Sequence, residues 1–257
     1  MLIDVNAYLG HFAFRHLRYN TAEELLKLMD EKGIDKAIVS SASAITYRNA
    51  QSGNEELFEE VKGHEDRLIP FAVINPAYAG WEDDLRMCYE LGMRGLRLYP
   101  KWHNYNLTDI CCIELIEAAV ERGVVISIPI RVEDYRQRSW LVDVPDVPLE
   151  EVAELVKTCP EAKFILVNGI GFVNSQLGRK GSGLPPNYFV KISRLSALLQ
   201  NEIGQLVENI GAERIVFGTG IPFKYPAPSL VKLEVLEISE DEKEMIRWRN
   251  AASVLAL

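Results

Sequence analysis

Short apolar runs rich in β-branched residues recur along the chain at 2–5, 37–40, 69–74, 95–98, 124–130, 164–167, 188–192 and 215–217. Most are continuous rather than alternating, the pattern of strands covered on both faces of a parallel sheet. Between them the apolar positions take helical spacing. Thr21-Ala-Glu-Glu24 reads as a capping box that opens a helix on Leu25, Leu26 and Met29. Residues 54–61, 82–91, 109–121, 149–157 and 195–210 carry similar patterns. Gly33, Gly92, Gly123 and Gly211 each stand where a helix must end before the next strand, a position that favours positive φ. A second capping box, Ser239-Glu-Asp-Glu242, starts a final helix to Leu257, expected on the outside of the sheet. Eight strand–helix units with no linker or low-complexity tract predict one α/β domain, residues 1–257, folded as a closed (β/α)8 TIM barrel. A doubly wound open sheet is the alternative, and it usually has fewer strands.

Composition narrows the function. The 257 residues are 48% hydrophobic and 25% charged, ordinary for a chain with a large core, and the net charge is −9. That charge argues against nucleic acid as a partner. No apolar run approaches the roughly 20 residues of a membrane span, and the N-terminus lacks the basic flank of a secretory signal. Cys88, Cys111, Cys112 and Cys159 form no C-x-x-C pair, so reduced thiols and a cytoplasmic location are expected.

In such a barrel, chemistry sits at the C-terminal ends of the strands. The residues there are Asn6 and Tyr8, Ser40 and Ser41, Asn75, then Arg97, Tyr99, Lys101 and His103 after the fourth strand. Arg131, Asp134 and Arg136 follow the fifth, Asn168 the sixth, Ser193 and Arg194 the seventh, and Thr219 the eighth.

Four segments carry a resemblance. Ile3-Asp-Val-Asn-Ala-Tyr-Leu-Gly10 resembles the Asp-x-His-x-His-x-Gly opening strand of the amidohydrolase-related, metal-dependent hydrolases. Gly92-Met-Arg-Gly-Leu-Arg-Leu-Tyr-Pro100 is similar to their fourth strand, and Arg214-Ile-Val-Phe-Gly-Thr-Gly-Ile-Pro-Phe223 to their closing Arg-x-x-Phe-Gly-Ser-Asp-x-Pro segment. Asn250-Ala-Ala252 looks like the Asn-Ala-Ala of their last helix. The resemblance implies a divalent metal on imidazole and carboxylate ligands, yet the two first-strand histidines fall on Asn6 and Tyr8. The sixth-strand histidine falls on or near Asn168, the eighth-strand aspartate on Gly220, and the fifth strand reads Ser127-Ile-Pro-Ile-Arg131. Asn and Tyr are weak neutral donors and Gly offers none. A divergent member without the usual metal site, and with no cofactor, is therefore expected.

What remains near the rim is cationic and amide-rich. Asn6, Arg97, Tyr99, Lys101, Arg131, Arg136, Asn168 and Thr219 are the candidate substrate-binding residues, suited to a small anion such as a carboxylate. Arg97 and Arg131, on adjacent strands, could grip one anion together, or the arginines could pair with Glu133 and Asp134. His103 and Asp134 are candidate proton carriers, and Tyr8 a candidate oxyanion donor or pocket wall. The basic Gly178-Arg-Lys-Gly-Ser-Gly183 segment reads as a surface loop or a lid. Three functions stay open: a metal-free hydrolase, lactonase-like or decarboxylase-like, acting on a small carboxylate; a non-catalytic binder of a small anion or a protein partner; and a hydrolase with an atypical metal site. A homo-oligomer is compatible with each.

Overall fold

A computed structural model describes residues 1–257. Eight parallel strands run β1 (Ile3–Leu9), β2 (Lys36–Ser41), β3 (Leu68–Ala72), β4 (Gly95–Arg97), β5 (Val125–Pro129), β6 (Phe164–Val167), β7 (Tyr188–Lys191) and β8 (Ile215–Val216), each paired with the next. Backbone bonds from Val5 N to Phe217 O (3.1 Å), Tyr8 N to Ile221 O (2.9 Å) and Gly220 N to Asn6 O (2.8 Å) tie β1 to the segment after β8 and bring the sheet round into a barrel. All eight strands coincide with the apolar runs. β1 extends to Leu9, so Asn6 and Tyr8 are strand residues rather than loop residues.

The helices are α1 (Ala22–Lys32), α2 (Ala50–Val61), α3 (Trp81–Glu90), α4 (Ile110–Glu121), α5 (Leu149–Thr158), α6 (Glu202–Ile210), α7 (Ala227–Val235), α8 (Glu240–Glu244) and α9 (Asn250–Leu255). Three expectations are corrected. The helix expected over 195–210 starts only at Glu202, where Asn201 accepts from Gly204 N and caps it. Between β6 and β7 there is no α-helix, only two short 3-10 turns, because Gly169, Gly171, Pro185 and Pro186 break the pattern. The 178–183 segment is tethered there, Asn209 holding Gly178 O and Gln176 holding Ser182 O. Finally, α9 does not lie on the outside. Ala251, Ala252, Val254 and Leu255 join one cluster with Ile3, Val5, Ile38, Ile69, Phe71, Ile165, Val167 and Val216, so the helix seals the lower end of the barrel interior.

The alternate strand residues face outward. Leu96, Ile126, Ile128, Phe164, Leu166 and Val190 pack on α3 to α6 in the largest cluster, and Ala7, Ala37 and Val39 pack on α1 and α2. Space inside is tight at β4: a Cβ on Gly95 would lie 2.4 Å from the Phe71 ring, so only glycine fits. The Ser239 capping box forms in full; at Thr21 only the threonine half forms, accepting from Glu24 N. No helix is long and apolar enough to cross a membrane, and the four cysteines are free thiols.

Candidate active site

Above the apolar plug the barrel interior turns polar. Asp4, Asn6, Ser40, Arg97, Ser127, Asn168, Lys191 and Thr219 are all buried. Burial of so many polar groups is costly unless they satisfy one another or a ligand. Asp4 is well satisfied: its carboxylate accepts from Thr219 Oγ1 (2.5 Å), Thr219 N (2.9 Å) and Asn6 N (2.8 Å). Burial nonetheless pushes its pKa up, against those bonds and the nearby Lys191 charge.

Asn168 is the hub. It ends β6 in the left-handed region (φ 63°), which asparagine tolerates better than most residues. Its Nδ2 donates to Arg131 O (3.1 Å). Its Oδ1 accepts from Asn6 Nδ2 (3.2 Å), Lys191 Nζ (2.8 Å) and Lys224 Nζ (2.9 Å). Two lysines thus meet on one neutral oxygen, and neither forms an ion pair. Burial, then the Lys224 charge, push Lys191 well below the ordinary lysine value. Burial, with Arg194, Lys232 and Arg131 close by, lowers Lys224 to about 7. Gly220 makes room for this arrangement: its φ is 93°, and a Cβ there would sit 3.3 Å from Lys224 Cδ.

Several buried atoms around the hub lack a partner, namely Asn6 Oδ1, Tyr8 OH, Ser127 Oγ and Arg97 Nε. The Tyr8 phenol lies beside Tyr99, Asn6 and Asn168, and burial keeps it neutral by raising its pKa.

The remaining candidates divide. Arg97 donates from Nη1 to Ala7 O (3.0 Å) and Ser40 Oγ (3.1 Å) and from Nη2 to Val5 O (3.2 Å), and it stacks 5.0 Å from the Tyr8 ring centroid. Its fork joins β1, β2 and β4 inside the barrel. Arg131 is paired with Asp146. A two-arginine clamp on one anion is therefore not assembled, because both forks already have partners. Asp134 is held by Arg136 Nε (2.9 Å) and Nη2 (3.0 Å) and by Arg194 Nη2 (3.1 Å). The Arg136 contacts come first in depressing its pKa far below the carboxylate range, so it is a poor base. Lys101 bridges Asn106 (2.7 Å) and Glu151 (2.8 Å), linking the β4 loop to α5. His103 donates from Nε2 to Ala44 O (3.3 Å), sits against Tyr99 and Tyr105, and burial drops its pKa to about 4. At neutral pH it is an uncharged imidazole. Tyr99 OH meets Ser40 Oγ at 3.3 Å.

A cleft of about 920 Å³ runs from the β1, β5, β7 and β8 loops down between α1 and α7, with Leu28, Glu31 and Lys32 on one side and Ser229 and Lys232 on the other. Its walls carry seven Lys or Arg side chains, Lys224 and Arg194 among them, against two acids, Glu31 and Asp134. In a chain of net charge −9 this is a local positive funnel. Lys224 reaches both the cleft and the Asn168 hub. A family model described as amidohydrolase matches residues 13–257.

The chain belongs to the amidohydrolase family. Among solved structures it is similar to a 5-carboxyvanillate decarboxylase from Sphingomonas paucimobilis (16% identity, TM-score 0.77, covering 100% of this chain and 99% of that one). It is also similar to a dihydroxybenzoic acid decarboxylase from Polaromonas sp. JS666 with bound manganese and the inhibitor 2-nitroresorcinol (20%, TM-score 0.75, 100% and 97%). A third is described as a probable 2-pyrone-4,6-dicarboxylic acid hydrolase from Acinetobacter baumannii with citric acid bound (13%, TM-score 0.68, 100% and 99%). At these identities the likeness concerns the fold. No curated protein matches the sequence.

The residues of this amidohydrolase-family chain do not suit a divalent metal. Asn6 and Asn168 face each other, Gly220 has no side chain, and the Asn168 oxygen is already taken by three donors, Asn6 Nδ2 and the two lysine amines. No three His, Cys, Asp or Glu side chains come together elsewhere to replace them. The sequence reading missed Lys191 and Lys224. A signal existed for the first: Lys191 is the one charge in an otherwise apolar strand. Lys224, one residue beyond the recognisable closing segment, gave none.

Proposed function

We propose that this chain is a metal-independent enzyme, decarboxylase-like or lactonase-like, acting on a small carboxylate bound where the cleft meets the barrel mouth. The observation that carries this is the convergence of Lys191 and Lys224 on Asn168, at positions where the family resemblance puts metal ligands. The positive charge around them comes from the lysines and arginines of the cleft wall. Arg194, braced by Asp134 through Nη2 and lining the cleft wall, is the guanidinium placed to meet the carboxylate. The buried Tyr8 phenol is a neutral donor for oxyanion charge. The relatives named above, two decarboxylases and a hydrolase with citrate bound, favour the same substrate class.

The test is a thermal-shift screen of mono-, di- and tricarboxylates and inorganic phosphate on wild type and Arg194→Ala, followed by assays for CO2 release and lactone opening. Carboxylates should raise Tm in wild type, and Arg194→Ala should weaken the best one at least about tenfold, the loss of one charge-assisted contact. Stabilisation without turnover would favour the anion-binding alternative. Failure of every carboxylate to stabilise the wild type would refute the reading.

A further inference from the structure

Lys224 has a geometry beyond that of an anion contact. Its Nζ is fixed by a single acceptor, Asn168 Oδ1, at 2.9 Å, and the same oxygen holds Lys191 Nζ at 2.8 Å. Sharing one acceptor keeps the two nitrogens close, with no carboxylate paired to either. Lys191 is fully enclosed, whereas Lys224 opens on the cleft beside Arg194. The groups facing Lys224 are Arg131 and Asp134 from the β5 loop, Asn168 from β6, Lys191 and Arg194 from β7, and Lys232 from α7, so positive charge outweighs negative on every side but one. A lysine crowded by cations and shielded from water is activated as a nucleophile.

Resting on the carboxylate reading above, we propose that Lys224 is a covalent catalyst that forms an imine with the carbonyl of a 3-oxo carboxylate, while Arg194 holds the carboxylate end. The free amine adds its lone pair to the carbonyl carbon, the C–O π bond breaks, and uptake of one proton with loss of one water leaves a protonated imine. The bond to the carboxylate carbon then breaks, its electron pair moving into the iminium, which gives an enamine and CO2. The enamine carbon takes a second proton, and one water hydrolyses the resulting iminium, returning the ketone, the free lysine amine and one proton. Overall one carboxylate and one proton become one ketone and one CO2, with no redox partner. Lys191 acts as a positioning residue that, with Asn6, fixes the Asn168 oxygen on which Lys224 is seated.

The experiment incubates the full-length protein with acetoacetate, oxaloacetate or benzoylacetate and sodium cyanoborohydride, then maps reduced adducts by peptide mass spectrometry, beside a thermal-shift titration of the same acids. We expect one adduct per chain, at Lys224, formed at least about tenfold faster than at any exposed lysine. Its rate should rise with pH through about 7, and Lys232→Met should move that rise to higher pH because one repelling charge is gone. Absence of adduct with all three acids, an adduct at Lys191, or labelling spread over surface lysines overturns the proposal. Binding without a Lys224 adduct overturns it and leaves the carboxylate reading standing, whereas absence of binding removes both.

Discussion

Replacing Lys224 by Met should make the protein more stable, and the gain should vanish at high pH. Methionine keeps the unbranched length and removes the amine. Holding a lysine at about 7 instead of 10.5 costs the folded state about 4 kcal/mol at neutral pH, at about 1.4 kcal/mol per tenfold. Loss of the bond to Asn168 Oδ1 returns about 1 kcal/mol of that. The net gain is about 3 kcal/mol, or about 6–10 °C in Tm for a domain of this size. The sign follows from proton binding. The unfolded chain keeps this proton up to pH 10.5 and the folded chain only to about 7, so wild-type stability climbs with pH between those values. The gain is therefore near its full size at pH 7 and below, about two-thirds gone by pH 9 and zero near pH 10, above which the lost bond leaves the variant slightly the less stable. Urea unfolding at pH 6, 7.5, 9 and 10, read by tryptophan fluorescence, measures it directly. A residue that is there for stability should destabilise when replaced, whereas one kept for chemistry should do the reverse. A Lys224→Met variant less stable than wild type, or one with a gain independent of pH, would refute the electrostatic picture of the site.

Arg97→Met should behave oppositely: Ala7 O, Val5 O and Ser40 Oγ lose their donor, costing about 3–5 kcal/mol in urea unfolding, and an unchanged midpoint would contradict its role as a strand tie. Asn168→Asp puts a carboxylate between the two lysines, so it should raise the pKa of Lys224 and slow adduct formation at pH 7; NMR titration of the lysine side chains checks the direction. Manganese or zinc at one equivalent should leave Tm where EDTA leaves it, and a metal-dependent rise would show a donor set other than the one formed by Asn6 and Asn168. Asp134→Asn should free Arg194 from its brace and weaken carboxylate binding by several-fold, and undiminished affinity in a thermal-shift titration would exclude Arg194 from the site.

By itself the sequence determined the barrel. Continuous apolar runs, helical spacing between them and glycine stops are local patterns, and eight of them in one direction leave little choice of architecture. It also gave the residues that stand where the family resemblance expects metal ligands, since Asn6, Asn168 and Gly220 can be read one position at a time. Tertiary structure alone decided what surrounds them. Nothing local relates Lys191 on β7 to Lys224 after β8, or either to Asn168 on β6; only closure of the sheet makes them share one oxygen. The fate of Arg97 and Arg131 was likewise hidden, because a guanidinium reads the same whether its partner is a ligand or, as in Arg97, a carbonyl across the barrel. The last helix was misplaced for the same reason: its apolar face fits the outside of a barrel as well as its lower end, and the choice depends on which cavity the strands leave to be filled.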